Sequence, residues 1–152
     1  MLKKNNMKKV TAAIVIINPD GDILGCHGTN KSRNSGFDFP KGLVEPDETD
    51  IEAAIRELRE ETSLVLDDDQ LIDCGVHPHN KEKNIHIFLH KTDVIPDPKG
   101  LVCQSFFTVN DKEYPECDFF EIIPRSERSK FNKVLQNKFD IIDEFNNKSP
   151  TG

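Results

Sequence analysis

Three glutamates, Glu57, Glu60 and Glu61, stand at positions i, i+3 and i+4 of one run, REETSL preceded by REL. If the run is helical, that spacing puts three carboxylates on one face. Three acids held that close repel one another unless a cation sits between them. Oxygen-only clusters of this kind suit Mg²⁺ or Mn²⁺, hard ions that take carboxylate, carbonyl and water ligands. The competing reading is a solvated acidic face neutralised by Arg56 and Arg59, the ordinary fate of a helical charge run.

The elements that must position these acids can be read from the residues around them. Ile51, Ile55, Leu58 and Thr62 recur at helical spacing, so one stripe of the segment faces a core. Thr49, followed three residues later by Glu52, has the form of a capping box, with Pro46 and Asp47 as loop residues before it. The pattern predicts a helix from Thr49 or Asp50 to about Thr62. The wider spacing is Gly42, five residues, Glu48, seven residues, then Arg56-Glu57-Leu58-Arg59-Glu60-Glu61, with Leu64 as the closing aliphatic residue. This resembles the signature of the Nudix hydrolases. Gly42, Glu48, Arg56, Glu57, Glu60 and Glu61 all match, and Ser63 departs from it, standing where the family usually has glycine.

The resemblance implies a metal-dependent hydrolase that attacks phosphorus in a nucleoside diphosphate derivative with an activated water. Glu60, Glu61 and the backbone carbonyl of Lys41 are then expected metal ligands. Glu57 either orients or deprotonates the water or joins the metal. Arg56 is expected to hold Glu57 or Glu48, and Glu48 to latch the preceding loop to the helix; a purely structural role is the alternative for both, and for Glu48 it suits equally well. Some members draw a base or an extra ligand from a later loop, for which Glu113 and Glu116 are the candidates. Lys31, Arg33, Phe39 and the Lys41 side chain are candidate substrate contacts, against simple surface solvation for the cations. Phe39-Pro40-Lys41-Gly42 looks like the branches acting on dinucleoside polyphosphates, diphosphoinositol phosphates and capped or triphosphorylated RNA. The expected substrates are therefore dinucleoside polyphosphates or RNA 5′ polyphosphate ends, with Mg²⁺ or Mn²⁺ as cofactor. ADP-ribose, FAD-type dinucleotides and diphosphoinositol polyphosphates are the alternatives within the class; Pro78 lies near a marker proline of some ADP-ribose enzymes. A catalytically silent domain that binds nucleotide or RNA is the rival of another class, and a protein-interaction module using the acidic face is a weaker one. The implied fold is α/β, a mixed sheet sandwiched between helices.

The rest of the chain bounds this reading. At 152 residues with 36% hydrophobic and 31% charged side chains, it has the size and balance of one soluble domain, residues 1–152, with 1–9 and 147–152 expected to be loose. A net charge of −7 argues against broad binding to DNA or any nucleic-acid backbone, but not against gripping one phosphorylated RNA end. No apolar run reaches the length of a membrane span and no signal-peptide core follows the N-terminus, so a cytoplasmic protein without membrane partners is expected. Cys26, Cys74, Cys103 and Cys117 show no CxxC pair and read as reduced core thiols. His77, His79, His86 and His90 lack zinc spacing and read as pocket-lining or surface residues. Strands are predicted at 10–18, 23–28, 64–66, 71–79, 85–91, 101–109 and 119–123. The short Phe37-to-Gly42 segment also reads as strand, 110–118 as loop, and 126–146 as an amphipathic helix built on Phe131, Val134, Leu135, Phe139, Ile142 and Phe145.

Overall fold

The computed structural model describes residues 8–29 and 36–148. Strand β1, Lys9–Ile17, is buried from Thr11 onward on both faces, which is why it reads as a continuous apolar run rather than an alternating one. Its even-numbered residues, Ala12, Ile14 and Ile16, enter one core, and Ala13, Val15 and Ile17 enter the other. The sheet follows from what pairs with β1. Strand β2 (Ile23–Gly28) returns from the turn at Gly21, and β3 (Lys41–Leu43) pairs antiparallel with residues 11–13. On the other edge of β1 runs β5 (Lys83–Lys91), parallel and in continuous register from Lys9 opposite Lys83 to Ile17 opposite Lys91. Strand β4 (Ile72–Pro78) completes that side, and β8 (Cys117–Ile123) lies beyond β2.

Helix α1, Asp50–Thr62, covers one face of the sheet with Ala53, Ala54 and Leu58 against Ile14, Ile16, Leu24 and Phe88. It begins as the sequence predicts: Thr49 Oγ1 accepts from the Glu52 amide and the Glu52 carboxylate accepts from the Thr49 amide. The opposite face is covered by the C-terminal segment through Phe131, Leu135, Phe139 and Ile142. The outcome is the expected α/β sandwich.

Four local expectations are corrected. The C-terminal segment is not one long helix: 3-10 turns occupy Arg125–Lys130 and Lys133–Lys138, and only Phe139–Asn146 (α2) is α-helical. The chain pauses between the two turns to bridge Phe37. The Phe37 amide donates to Lys130 O at 2.7 Å and the Asn132 amide to Phe37 O at 2.8 Å, so a tertiary pairing wins over helical continuity. Residues 64–66 form no strand; Leu64 and Leu66 pack under α1 instead. The front of the 101–109 stretch is held by the end of α1, with Val102 donating to Thr62 O and Gln104 to Glu60 O. Only Phe106–Val109 (β6) is strand there. It forms a separate hairpin with β7, Lys112–Pro115, across Asn110 and Asp111, both at positive φ. The expected loose N-terminal stretch is strand by Lys9, and residues 1–7 and 149–152 lie outside the described residues. Among the four histidines, His86 bridges Asp50 and Asp73 with one ring nitrogen each at 2.7 Å.

Candidate active site

The site is assembled where β3 passes under the second half of α1. Arg56 organises its outer side. Its Nε and one terminal nitrogen donate to the two oxygens of Glu48 at 3.0 and 2.6 Å. The same side chain reaches the Leu43 carbonyl at 3.1 Å, Glu57 at 2.8 Å and Glu60 at 3.3 Å. Glu48 also accepts from the Glu45 amide, so the loop between β3 and α1 is tied to the helix at both ends. A planar guanidinium with five donors can serve this many oxygens; a lysine could not. Hydrogen bonds from Arg56 outweigh desolvation and hold the Glu48 carboxyl below the usual carboxylate range.

Inside that clamp the glutamates are not a solvated face. The side chain of Glu57 is 12% exposed and Glu61 is 6% exposed as a residue, which corrects the view of these acids as solvent-facing. Glu60 remains the most accessible of the three, with 35% of its side chain exposed. The Glu57 and Glu61 carboxyls are close enough to influence each other's ionisation. Burial raises the pKa of both; for Glu61 the neighbouring Cys117 and Glu57 add to the rise and Lys41 opposes it. Gly42 has no side chain because Glu57 occupies the space: a Cβ there would lie 2.0 Å from Glu57 Cδ. Lys41 donates its amide to Glu61 Oε1 at 3.4 Å and its ammonium to Asp38 at 2.8 Å. Burial works against that ammonium, but Asp38 and Glu61 more than offset it and keep its pKa raised.

An open cleft of about 890 Å³ reaches this acidic centre through Lys41 and Glu61. Glu116 is on its wall. Glu113 is exposed on β7 and is not among the lining residues, so the structure separates the two later-loop candidates. Phe39 borders the cleft, but its ring is 1% exposed and packs in the core against Phe131 and Phe139, with centroids 5.3 and 6.2 Å away. It is a core residue, not the substrate contact expected of it. Lys31 and Arg33 lie outside the described residues. Asp38, Cys26 and Cys117 line the cleft and were missed in the sequence. The alternation Phe37-Asp38-Phe39 was a usable signal for Asp38. Nothing local marks the two cysteines, which come from strands far apart in the chain.

Ser63 caps α1 at φ 70°, ψ 3°, in the left-handed region. Its amide donates to Arg59 O, and its hydroxyl bonds the Thr62 carbonyl and accepts weakly from the Val102 amide. The departure from glycine therefore changes the cap's chemistry without changing its geometry.

Fold and site together define a class: an α/β sandwich in which one helix carries clustered carboxylates and brings the buried Glu61 to the wall of an open cleft. The chain belongs to the NUDIX family, whose domain model matches residues 7–122. An RNA pyrophosphohydrolase from Xanthomonas campestris is 39% identical over 59 residues, which cover 39% of this chain and 27% of that protein. The match thus spans only about a quarter of the length of such curated relatives. Among solved structures, a bifunctional NMN adenylyltransferase/ADP ribose pyrophosphatase from Francisella tularensis superposes with a TM-score of 0.69 at 20% identity, over 95% of this chain and 43% of that one. A C. elegans Ap4A hydrolase does so with a TM-score of 0.60 at 18% identity, over 89% and 94%. At these identities the two structures speak for the fold alone. No helix among the described residues is long and apolar enough to cross a membrane.

Proposed function

We propose that the chain is a divalent-metal-dependent pyrophosphohydrolase of nucleotide-derived substrates, with dinucleoside polyphosphates and RNA 5′ polyphosphate ends as its preferred class. The observation that carries the reading is the placement of Glu57 and Glu61 beside the Lys41-Gly42 backbone, with Glu61 and Lys41 lining a cleft large enough for a nucleotide. Buried paired carboxylates of this kind fit a hard cation, and the lack of a side chain at Gly42, where a Cβ would lie 2.0 Å from Glu57 Cδ, supports a role for Glu57 against this strand. Glu57, Glu60, Glu61 and the Lys41 carbonyl would hold Mg²⁺ or Mn²⁺. When bound, the ion would neutralise phosphate oxygens and lower the pKa of an attacking water.

The protein's own residues do the remainder. Arg56 fixes the rotamers of Glu57 and Glu60, so that one carboxylate can accept a proton without swinging away. Glu116, which lines the same cleft, is the later-loop acid that could reach a bound substrate. The Lys41 ammonium, neutralised in part by Asp38, offers a donor to phosphate. The choice of substrate rests on the Phe39-Pro40-Lys41-Gly42 sequence and on the name of the sequence relative, an RNA pyrophosphohydrolase. Cytoplasmic location and action without membrane or DNA partners belong to the same reading.

The test is a product assay with Mg²⁺ across diadenosine polyphosphates, triphosphorylated and capped RNA, ADP-ribose, FAD, dNTPs and diphosphoinositol phosphates. Faster cleavage of the first two groups is expected. A clear preference for ADP-ribose would overturn the substrate while leaving the reaction class. Binding without any turnover would favour a silent regulatory domain.

A further inference from the structure

We propose that Cys26, Cys117 and Glu61 form a second cation site, selective for a thiophilic divalent ion such as Zn²⁺ or Cd²⁺, which takes Glu61 away from the hard-metal centre. The site is built by a fault in strand pairing. Along β2 and β8, Cys26 faces Phe120 and His27 faces Phe119, so regular pairing would put Asp118 opposite Gly28. The register slips between His27 and Gly28, and Cys117 takes that place. Because side chains alternate along a strand, the slip turns Cys117 to the face occupied by Cys26. That is the face α1 covers, as the neighbouring Leu24 shows, and Glu61 comes down onto it.

The donor atoms are already gathered. The two sulfurs and a Glu61 oxygen lie within 4.8 Å of one another, and Cys117 Sγ is 3.5 Å from Glu61 Oε1. Zn–S bonds of about 2.3 Å and Zn–O bonds of about 2.1 Å at tetrahedral angles require S···O near 3.6 Å and S···S near 3.8 Å. One pair is at the required separation and the rest need only a small closure. Cys26 and Cys117 are 2% and 7% exposed, yet both line the cleft with Glu61, which leaves a fourth position open to water or a phosphate oxygen. Two thiolates and a carboxylate would leave a bound divalent ion with one net negative charge, which the nearby Lys41 ammonium, itself paired with Asp38 at 2.8 Å, offsets only in part.

Ligand softness separates this site from the glutamate centre. Mg²⁺ has little affinity for thiolate, whereas Zn²⁺ and Cd²⁺ favour it. Glu61 belongs to both sets, so the two ions compete for its carboxylate. A thiophilic ion then switches off the hydrolysis proposed above, and that consequence, unlike binding itself, rests on the proposed function.

The test uses the whole reduced protein without substrate. Cd²⁺ titration should give a saturable sulfur-to-metal charge-transfer absorption at one equivalent. Cys26→Ala and Cys117→Ala should each weaken binding by at least about 100-fold, the upper end of what even an outer-shell partner costs. Cys74→Ala, in the opposite core, should leave it unchanged. Zinc K-edge absorption on the unsubstituted protein should show two sulfur scatterers at about 2.3 Å, a readout independent of variant folding. A shell of nitrogen and oxygen only, or an absorption band that survives both substitutions, overturns the site. If hydrolysis is found, Zn²⁺ should inhibit it and Cys26→Ala should relieve the inhibition; uninhibited turnover at saturating Zn²⁺ overturns the competition. Absent hydrolysis with an intact Cd²⁺ band overturns the proposed function and not the cation site.

Discussion

The carboxyl of Glu57 occupies the volume that a side chain on Gly42 would fill. The two residues belong to different elements, β3 and α1, and the missing Cβ lets that carboxylate lie directly against the strand. Gly42→Ala would place a Cβ 2.0 Å from Glu57 Cδ, too close for any rotamer adjustment short of moving the carboxylate. Overpacking of this kind costs about 1–3 kcal/mol. We expect Gly42→Ala to fold with a lowered Tm and to lose about 10²-fold in kcat, because the displaced carboxylate leaves its partner Arg56. Wild-type kcat in this variant would show that the position of Glu57 is irrelevant to turnover.

Metal dependence should appear in stability as well as rate. Chelation should abolish activity, and Mg²⁺ or Mn²⁺ should restore it. Glu57→Gln and Glu61→Gln should each cut kcat by about 10²-fold or more. Glu61 is buried and its ionised form is penalised, so Glu61→Gln should melt no lower than wild type in EDTA. Adding Mg²⁺ should raise the wild-type Tm, since a ligand that binds only the folded state stabilises it. The Glu61→Gln Tm should stay put. Equal Mg²⁺-induced shifts in the two proteins would remove Glu61 from the ligand set.

Ser63 offers a milder test. At φ 70° a residue with a Cβ costs roughly 1 kcal/mol relative to glycine. Ser63→Gly relieves that strain but loses the hydroxyl's bonds to Thr62 and Val102. We expect a net gain below about 1 kcal/mol in denaturant unfolding and kcat within a few-fold of wild type. A large gain in kcat would mean that serine holds the neighbouring Glu61 out of place.

A pH prediction comes from the far end of the molecule. Asp143 on α2 accepts from Arg128 at 2.7 and 2.8 Å and from Arg125 at 2.9 and 3.2 Å. Arg128 is the main cause of its lowered pKa, acting against partial burial. A carboxyl with a depressed folded-state pKa adds stability above its unfolded value near 3.9, and loses it as pH falls through the folded value. Asp143→Asn should therefore cost about 2 kcal/mol at neutral pH. The cost should shrink in acid below pH ~4. A penalty that is constant from neutral pH into strong acid would assign the loss to packing instead.

Much of this was legible before any coordinates. The helix limits, the capping box and the three-acid face followed from local rules that tertiary context did not overturn, because α1 is amphipathic and capped by its own residues. The misreadings lie where long-range hydrogen bonds decide. Phe37 takes its partners from residues 130 and 132, breaking a helix that its apolar periodicity predicted, and the end of α1 takes the amides of Val102 and Gln104 from a predicted strand. The Asn110-Asp111 turn was signalled locally and read as loop. Cys26 and Cys117 could not have been joined from sequence, because their meeting depends on a one-residue slip between two strands.

The parallel pairing of β1 with β5 has a consequence for biogenesis. Lys9 meets Lys83 and Ile17 meets Lys91, so β1 must wait for β5 before its second edge is satisfied. Until then a nine-residue apolar ribbon emerging from the ribosome has an unpaired side. Closing so long a connection slows folding. During that interval β2 and β3, which reach β1 from its other edge, are its early strand partners among the described residues, and the growing chain depends on them to keep β1 from pairing with a neighbour's.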